Sequence, residues 1–138
     1  EYKEALPYID YVFPNKEEAM QLTGKENLED IAEVFLSYGV KNVLIKIGKD
    51  GCYVHNAEGS CVVSGYHVDN VVDTTGAGDN FAAGLISGIL QGRDLKGAVR
   101  YACGVAAVAI QYQGACTGVQ SRAQVETILK KCSEEEVR

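Results

Sequence analysis

Short β-branched runs alternate with helix-patterned stretches along this chain, and that alternation limits what it can build. Residues 43–47 (Val-Leu-Ile-Lys-Ile) form a compact strand signal, and Tyr11-Val12-Phe13 forms a shorter one before Pro14. Two helical patterns lie between them. The first covers about residues 16–22 and stops at Gly24. The second is capped by Asn27, carries Ile31, Val34, Phe35 and Tyr38 on one face, and closes at Gly39. Beyond the central strand, residues 48–51 read as a turn, and residues 52–55 and 60–64 as a hairpin around residues 56–59. Two long helices follow, over residues 76–91 and 95–111, and a third over residues 123–131 precedes a charged tail. This order predicts an α/β layered fold with a mostly parallel sheet.

Composition removes several function classes. At 138 residues the chain is long enough for one core and too short to suggest two domains. Its net charge of -6 speaks against a nucleic-acid partner, which would need a basic face. An anionic ligand would have to be held by backbone N–H groups and metal ions. The most apolar stretch, residues 101–112, is too short to cross a membrane and reads as a buried helix. Five cysteines include no C-x-x-C pair, and His55 and His67 stand at no zinc-ligand spacing from them. Unpaired thiols in a chain with no signal sequence predict a cytoplasmic protein. The chain opens on Glu1 without an initiator methionine and runs straight into a structured pattern, as a fragment of a longer protein would.

The chemistry concentrates at Asp73-Thr74-Thr75-Gly76-Ala77-Gly78-Asp79-Asn80-Phe81, between a β-like run and a helix with the apolar face Phe81, Leu85, Ile86 and Ile89. Gly76, Ala77 and Gly78 would leave the first N–H groups of that helix bare, and the peptide dipoles add partial positive charge there. Such a helix start binds anions. A carboxylate at Asp79 adds nothing to anion affinity, but it can take a proton from an attacking hydroxyl. The plainer reading is that Asp79 complements the helix dipole and that the glycines serve close packing. No G-x-x-x-x-G-K-[ST] loop is present, which excludes P-loop phosphotransferases.

The stretch from Asp73 to Gly84 closely resembles the C-terminal signature of the ribokinase-like (PfkB) carbohydrate kinases. The likeness covers almost the whole chain. Residues 12–19 resemble that family's strand and N-x-x-E motif, Ile47-Gly48-Lys49-Asp50-Gly51 its strand-turn beside the adenine, and residues 100–118 its late helix and following loop. The family's N-terminal half, with most sugar contacts and the lid, has no counterpart here. The resemblance thus implies a ribokinase-like (Rossmann-like) fold and a partial domain, the nucleotide-binding and catalytic C-terminal part of an ATP-dependent kinase. Self-association, or pairing with the missing half, is the expected consequence. The wording of the motif leans toward a sugar as acceptor, with nucleosides and vitamin-like alcohols as alternatives. A non-catalytic nucleotide-binding module is a further alternative, against which the intact Asp79 counts.

By the same resemblance Asp79 is the catalytic base, and the Gly76, Ala77 and Gly78 amides form the anion hole. Asn15 would contact the nucleotide phosphates and Glu18 would hold Mg2+ through water, although Asn15-x-x-Glu18 is also a capping box. Gly48 and Gly51 would shape the adenosine floor, or simply a turn. Lys46 stands where the family often has threonine. Cys103 stands near the adenine position, where core packing is the preferred alternative. Asp73, Thr75, Ala109, Tyr112, Gly114 and Gly118 would supply a monovalent cation site for K+, with an Asx turn at Asp73 as the competing reading.

Overall fold

The computed structural model describes residues 2–135 and divides them into two compact units, one running to Val63 and one starting at Ser64. The charged tail beyond residue 135 and the side chain of Cys132 lie outside what is described.

The first unit begins with a short helix, α1 (Tyr2–Ala5), which runs into a 3-10 turn over Leu6–Tyr8. Strand β1 (Tyr11–Val12) is only two residues long. Pro14 has no N–H to continue a ladder, so pairing resumes past it as a single bridge between Asn15 and Lys46. Helix α2 (Lys16–Thr23) ends at Gly24, which takes φ 70° and donates its N–H to the Met20 carbonyl at 2.8 Å. Helix α3 (Leu28–Ser37) starts at Asn27, whose Oδ1 accepts the Asp30 N–H at 2.8 Å. Strands β2 (Asn42–Lys46), β3 (Cys52–Asn56) and β4 (Gly59–Val63) complete a sheet in the order β1-β2-β3-β4.

The parallel pairing expected from the strand–helix–helix–strand order is present between β1 and β2, whereas β2–β3 and β3–β4 are antiparallel. The sheet of this unit is therefore mixed. The reason is connection length. A parallel return needs a crossover of a dozen residues or more, and only the turn around Gly48–Asp50 separates β2 from β3.

Ile31, Ala32 and Phe35 of α3 pack with Ala19, Val40, Val43, Ile45 and Tyr53 into one core. Each large side chain removed from water there contributes about 1.5–3 kcal/mol. Tyr38 does not join the buried face as expected. It lies past the last turn of α3, is exposed, and carries the Lys3 ammonium 5.1 Å from its ring centre.

Helices dominate the second unit. Helix α4 (Ala77–Leu90) packs on α5 (Leu95–Ala109), and α5 on α6 (Arg122–Glu135). Contact between α4 and α5 is close because glycines face backbone. A Cβ added at Gly84 would lie 2.8 Å from the Ala102 Cα, and one at Gly88 would lie 2.8 Å from the Ala98 Cα. Tyr101, Val105 and Val108 meet Val125 of α6, and the Arg93 guanidinium bridges to Glu126 at 2.8 Å while covering the Tyr101 ring. The β-like run ahead of Asp73 is not a strand. Its Val72 and Asp73 amides both donate to the Ile110 carbonyl, at 2.8 and 3.2 Å, so the segment is pinned to the end of α5 rather than to a ladder. Among the described residues no helix is long and apolar enough to cross a membrane.

Candidate active site

Helix α4 starts at Gly76, which holds φ 74° and ψ 5°. Two things require glycine there. Positive φ is costly for a residue with a Cβ, and an added Cβ would lie 2.6 Å from the Ala115 Cβ. No side chain caps this helix start, and no described acceptor takes the amides of Gly76, Gly78 or Asp79. The expected row of three bare amides needs one correction. Ala77 donates its N–H to the Thr74 carbonyl at 3.1 Å, closing a turn whose third residue is the positive-φ Gly76. The open donors are therefore Gly76, Gly78 and Asp79. The Asp79 side chain is exposed in the first turn beside them.

The loop after α5 is tied to this helix start by two side chains. Asp73 accepts the Thr75 N–H on Oδ1 and the Gly114 N–H on Oδ2, both at 2.9 Å. The hydrogen bonds from Thr75, and then that from Gly114, hold the Asp73 carboxyl below the usual carboxylate range. Asn80 donates from Nδ2 to the Gly76 carbonyl at 2.9 Å and to the Ala115 carbonyl at 2.7 Å. Sequence reasoning missed Asn80 and Ala115. The available signal was an amide side chain four residues after Gly76, within reach of its carbonyl.

The residues implied for a monovalent cation fall into two linked groups. Asp73, Thr75 and Gly114 are joined by the bonds just given. Gly118 faces Ala109 and Tyr112, since an added Cβ would sit 2.9 Å from Tyr112 Cδ2 and 3.0 Å from the Ala109 Cα. Several of these oxygens already accept protein donors. Both Asp73 oxygens do, Oδ1 closing an Asx turn with Thr75 and Oδ2 reaching Gly114, and the Ala109 carbonyl takes the Tyr112 N–H at 3.2 Å. The Gly118 carbonyl takes Gln124 Nε2, also at 3.2 Å. Cys103 is buried in α5, and that burial pushes its thiol up to about 11. It has the character of a packing residue.

Asn15, Glu18, Lys46, Gly48 and Gly51, implied for the nucleotide side, lie in the first unit, whereas Gly78 and Cys103 lie in the second. Asn15 and Glu18 form a complete capping box. Asn15 Oδ1 accepts the Glu18 N–H, and Glu18 Oε2 accepts the Asn15 N–H, each at 2.8 Å. That leaves Glu18 Oε1 for a water-mediated magnesium contact. No group of three or more His, Cys, Asp or Glu among the described residues is arranged to hold a metal directly. Magnesium retains several waters in most protein sites, so a single exposed carboxylate fits it better than a closed cage would. The Lys46 N–H donates to the Pro14 carbonyl at 2.9 Å, which fixes the strand end beside Asn15. Gly48 and Gly51 both take positive φ, 65° and 103°, and the Ile47 N–H closes the turn onto the Gly51 carbonyl at 2.9 Å.

A family model described as pfkB family carbohydrate kinase matches residues 1–122. The chain belongs to the pfkB family of carbohydrate kinases. The 2-dehydro-3-deoxygluconokinase of Bacillus subtilis (strain 168) is 40% identical over 120 residues, which is 87% of this chain and 37% of that protein. Arabidopsis thaliana ribokinase complexed with ribose and ATP matches with a TM-score of 0.85 and 33% identity, over 93% of this chain and 43% of that one. A putative ribokinase II from E. coli in complex with ATP and Mg2+ also matches at 0.85, with 30% identity over 94% of this chain and 42% of that one. The fold is thus ribokinase-like, and this pfkB-family chain spans about two-fifths of the length of these relatives.

Proposed function

We propose that these residues are the nucleotide-binding and catalytic C-terminal part of a kinase that moves the γ-phosphoryl group of ATP to an alcohol of a sugar. The observation that carries this reading is the helix start with open Gly76, Gly78 and Asp79 amides and the Asp79 carboxylate exposed beside them. Phosphoryl transfer gains most of its rate from positioning and from offsetting charge. Open amides at a helix start would hold an anion there, and the helix dipole would reinforce them. Asp79 takes the proton from the acceptor hydroxyl as that oxygen attacks. Magnesium would offset charge on the phosphates when bound; by the family resemblance the Glu18 carboxylate would hold one of its waters and Asn15 would contact the phosphates.

By the family resemblance a potassium ion near Asp73 would be held mostly by carbonyl oxygens, with Asp73 as the one charged ligand. Free thiols at Cys61, Cys103 and Cys116 suit work in the reducing cytoplasm. The similar 2-dehydro-3-deoxygluconokinase and the ribokinase with ribose support a sugar acceptor, and a similar cytidine kinase keeps a nucleoside as the alternative.

The test is Asp79→Asn in the protein at its natural length, assayed with ATP against a panel of sugars and nucleosides. Turnover should fall about 10²–10⁴-fold with ATP affinity nearly unchanged. Retained turnover would remove Asp79 from the mechanism, and turnover on nucleosides alone would replace the sugar.

A further inference from the structure

We propose that Asn80 is a positioning residue that keeps the anion-binding end of α4 in its working shape by clamping it to the loop after α5. Three observations converge on this residue. The Gly76 carbonyl accepts twice from it, from the Asn80 N–H at 2.9 Å and from Nδ2 at 2.9 Å. The same Nδ2 donates its other hydrogen to the Ala115 carbonyl at 2.7 Å, across 35 residues of sequence. Ala115 in turn lies so close to Gly76 that an added Cβ would come within 2.6 Å of it. Both donors of the side-chain amide are therefore spent, one on each side of the junction.

The consequence follows from glycine. Gly76 has access to many backbone conformations, and nothing intrinsic keeps it at positive φ. Its N–H and those of Gly78 and Asp79 are open donors together only while that conformation holds. The grip of Asn80 on the Gly76 carbonyl fixes the peptide plane that follows Gly76, and the bond to Ala115 keeps the loop from lifting away. Asp73 ties the same loop through Gly114, so the junction has two independent clamps. No atom of Asn80 needs to touch a substrate for this role. Serine or alanine at position 80 would leave the loop to Asp73 alone. An aspartate there would place a carboxylate against two carbonyls and repel both.

The catalytic consequence rests on the phosphotransfer reading, while the clamp itself does not. The experiment compares wild type, Asn80→Ala and Asn80→Asp at natural length, with Arg93→Ala as a control that removes contacts elsewhere in the same unit. Steady-state kinetics with ATP and the accepted acceptor are measured well below each variant's Tm, alongside amide hydrogen exchange at Gly114. Both Asn80 variants should lose about 10- to 100-fold in kcat, the range expected when reacting groups are displaced by about an ångström, with the acceptor KM little changed. Gly114 should exchange about tenfold faster in Asn80→Ala, the loss expected for one hydrogen bond. Arg93→Ala should keep the wild-type kcat. Wild-type kcat in both Asn80 variants would overturn the proposal, as would an equal loss of kcat in Arg93→Ala. If the wild type turns over no acceptor, the phosphotransfer reading fails and exchange alone decides the clamp. Unchanged Gly114 protection in Asn80→Ala would then overturn it.

Discussion

Asp73 illustrates how a single carboxylate can be committed before any ligand arrives. Its ionised form is favoured in the folded state by the Thr75 and Gly114 bonds, so its folded pKa lies below the unfolded value. Stability gained this way is present above the ordinary carboxylate range and is lost as pH falls through the lowered folded pKa. The Thr75 and Gly114 amide resonances should hold their positions through mild acid and move only below that range, which an NMR titration reads directly. Movement near pH 6 would point to another group. Cysteine chemistry gives a second prediction. Cys103, buried and pushed up to about 11, should resist alkylation at pH 8 in the native protein, while exposed Cys116 reacts. Peptide mass spectrometry after a brief iodoacetamide pulse separates the two. At this scale the motif around Asp79 was legible because its residue types are few and fixed in spacing. Asn80 and Ala115 were not, since their partnership is made by a loop that returns from 35 residues away.

Among the elements, the α4–α5 seam makes the sharpest claim. Alanine at Gly88 would add about 1 kcal/mol of helix propensity. Its Cβ, however, would press on Ala98 backbone at 2.8 Å, and overpacking of that kind costs about 1–3 kcal/mol. Backbone cannot rotate out of the way as a side chain can, so the overpacking wins and Tm should fall in Gly88→Ala. A rise in Tm on thermal unfolding would mean that the helices stand further apart. Helix starts were readable from the sequence where a cap announced them, as at Asn15 and Asn27. Strand content was harder to read. Val71 and Val72 have strand-forming side chains, yet the amide of Val72 is claimed by the Ile110 carbonyl, a long-range partner that periodicity does not reveal. The sheet was expected to be mostly parallel from element order. The brevity of the turn after β2 decided the pairing of the later strands.

For the molecule as a whole, the net charge of -6 means that no long-range attraction draws a polyanion in. On the proposed reading, nucleotide capture would rest on local donors and magnesium, and it should weaken only modestly with added salt. The 138 residues alone should bind Mg-nucleotide weakly by calorimetry and release no sugar-dependent ADP, since apart from the proposed base Asp79 no residue is assigned to bind or orient the acceptor. They should also self-associate at high concentration, because Val62, Ile86 and Leu90 are exposed. Sugar-dependent turnover by this chain alone would place the acceptor site within it. The strands of the first unit lie side by side in the order in which they are synthesised. A ribosome adds roughly 5–20 residues each second. Each strand emerging from the exit tunnel therefore meets the edge laid down just before it, and none has to wait for a later segment or wedge between two earlier ones. That order permits the sheet to grow by accretion during translation, one strand at a time.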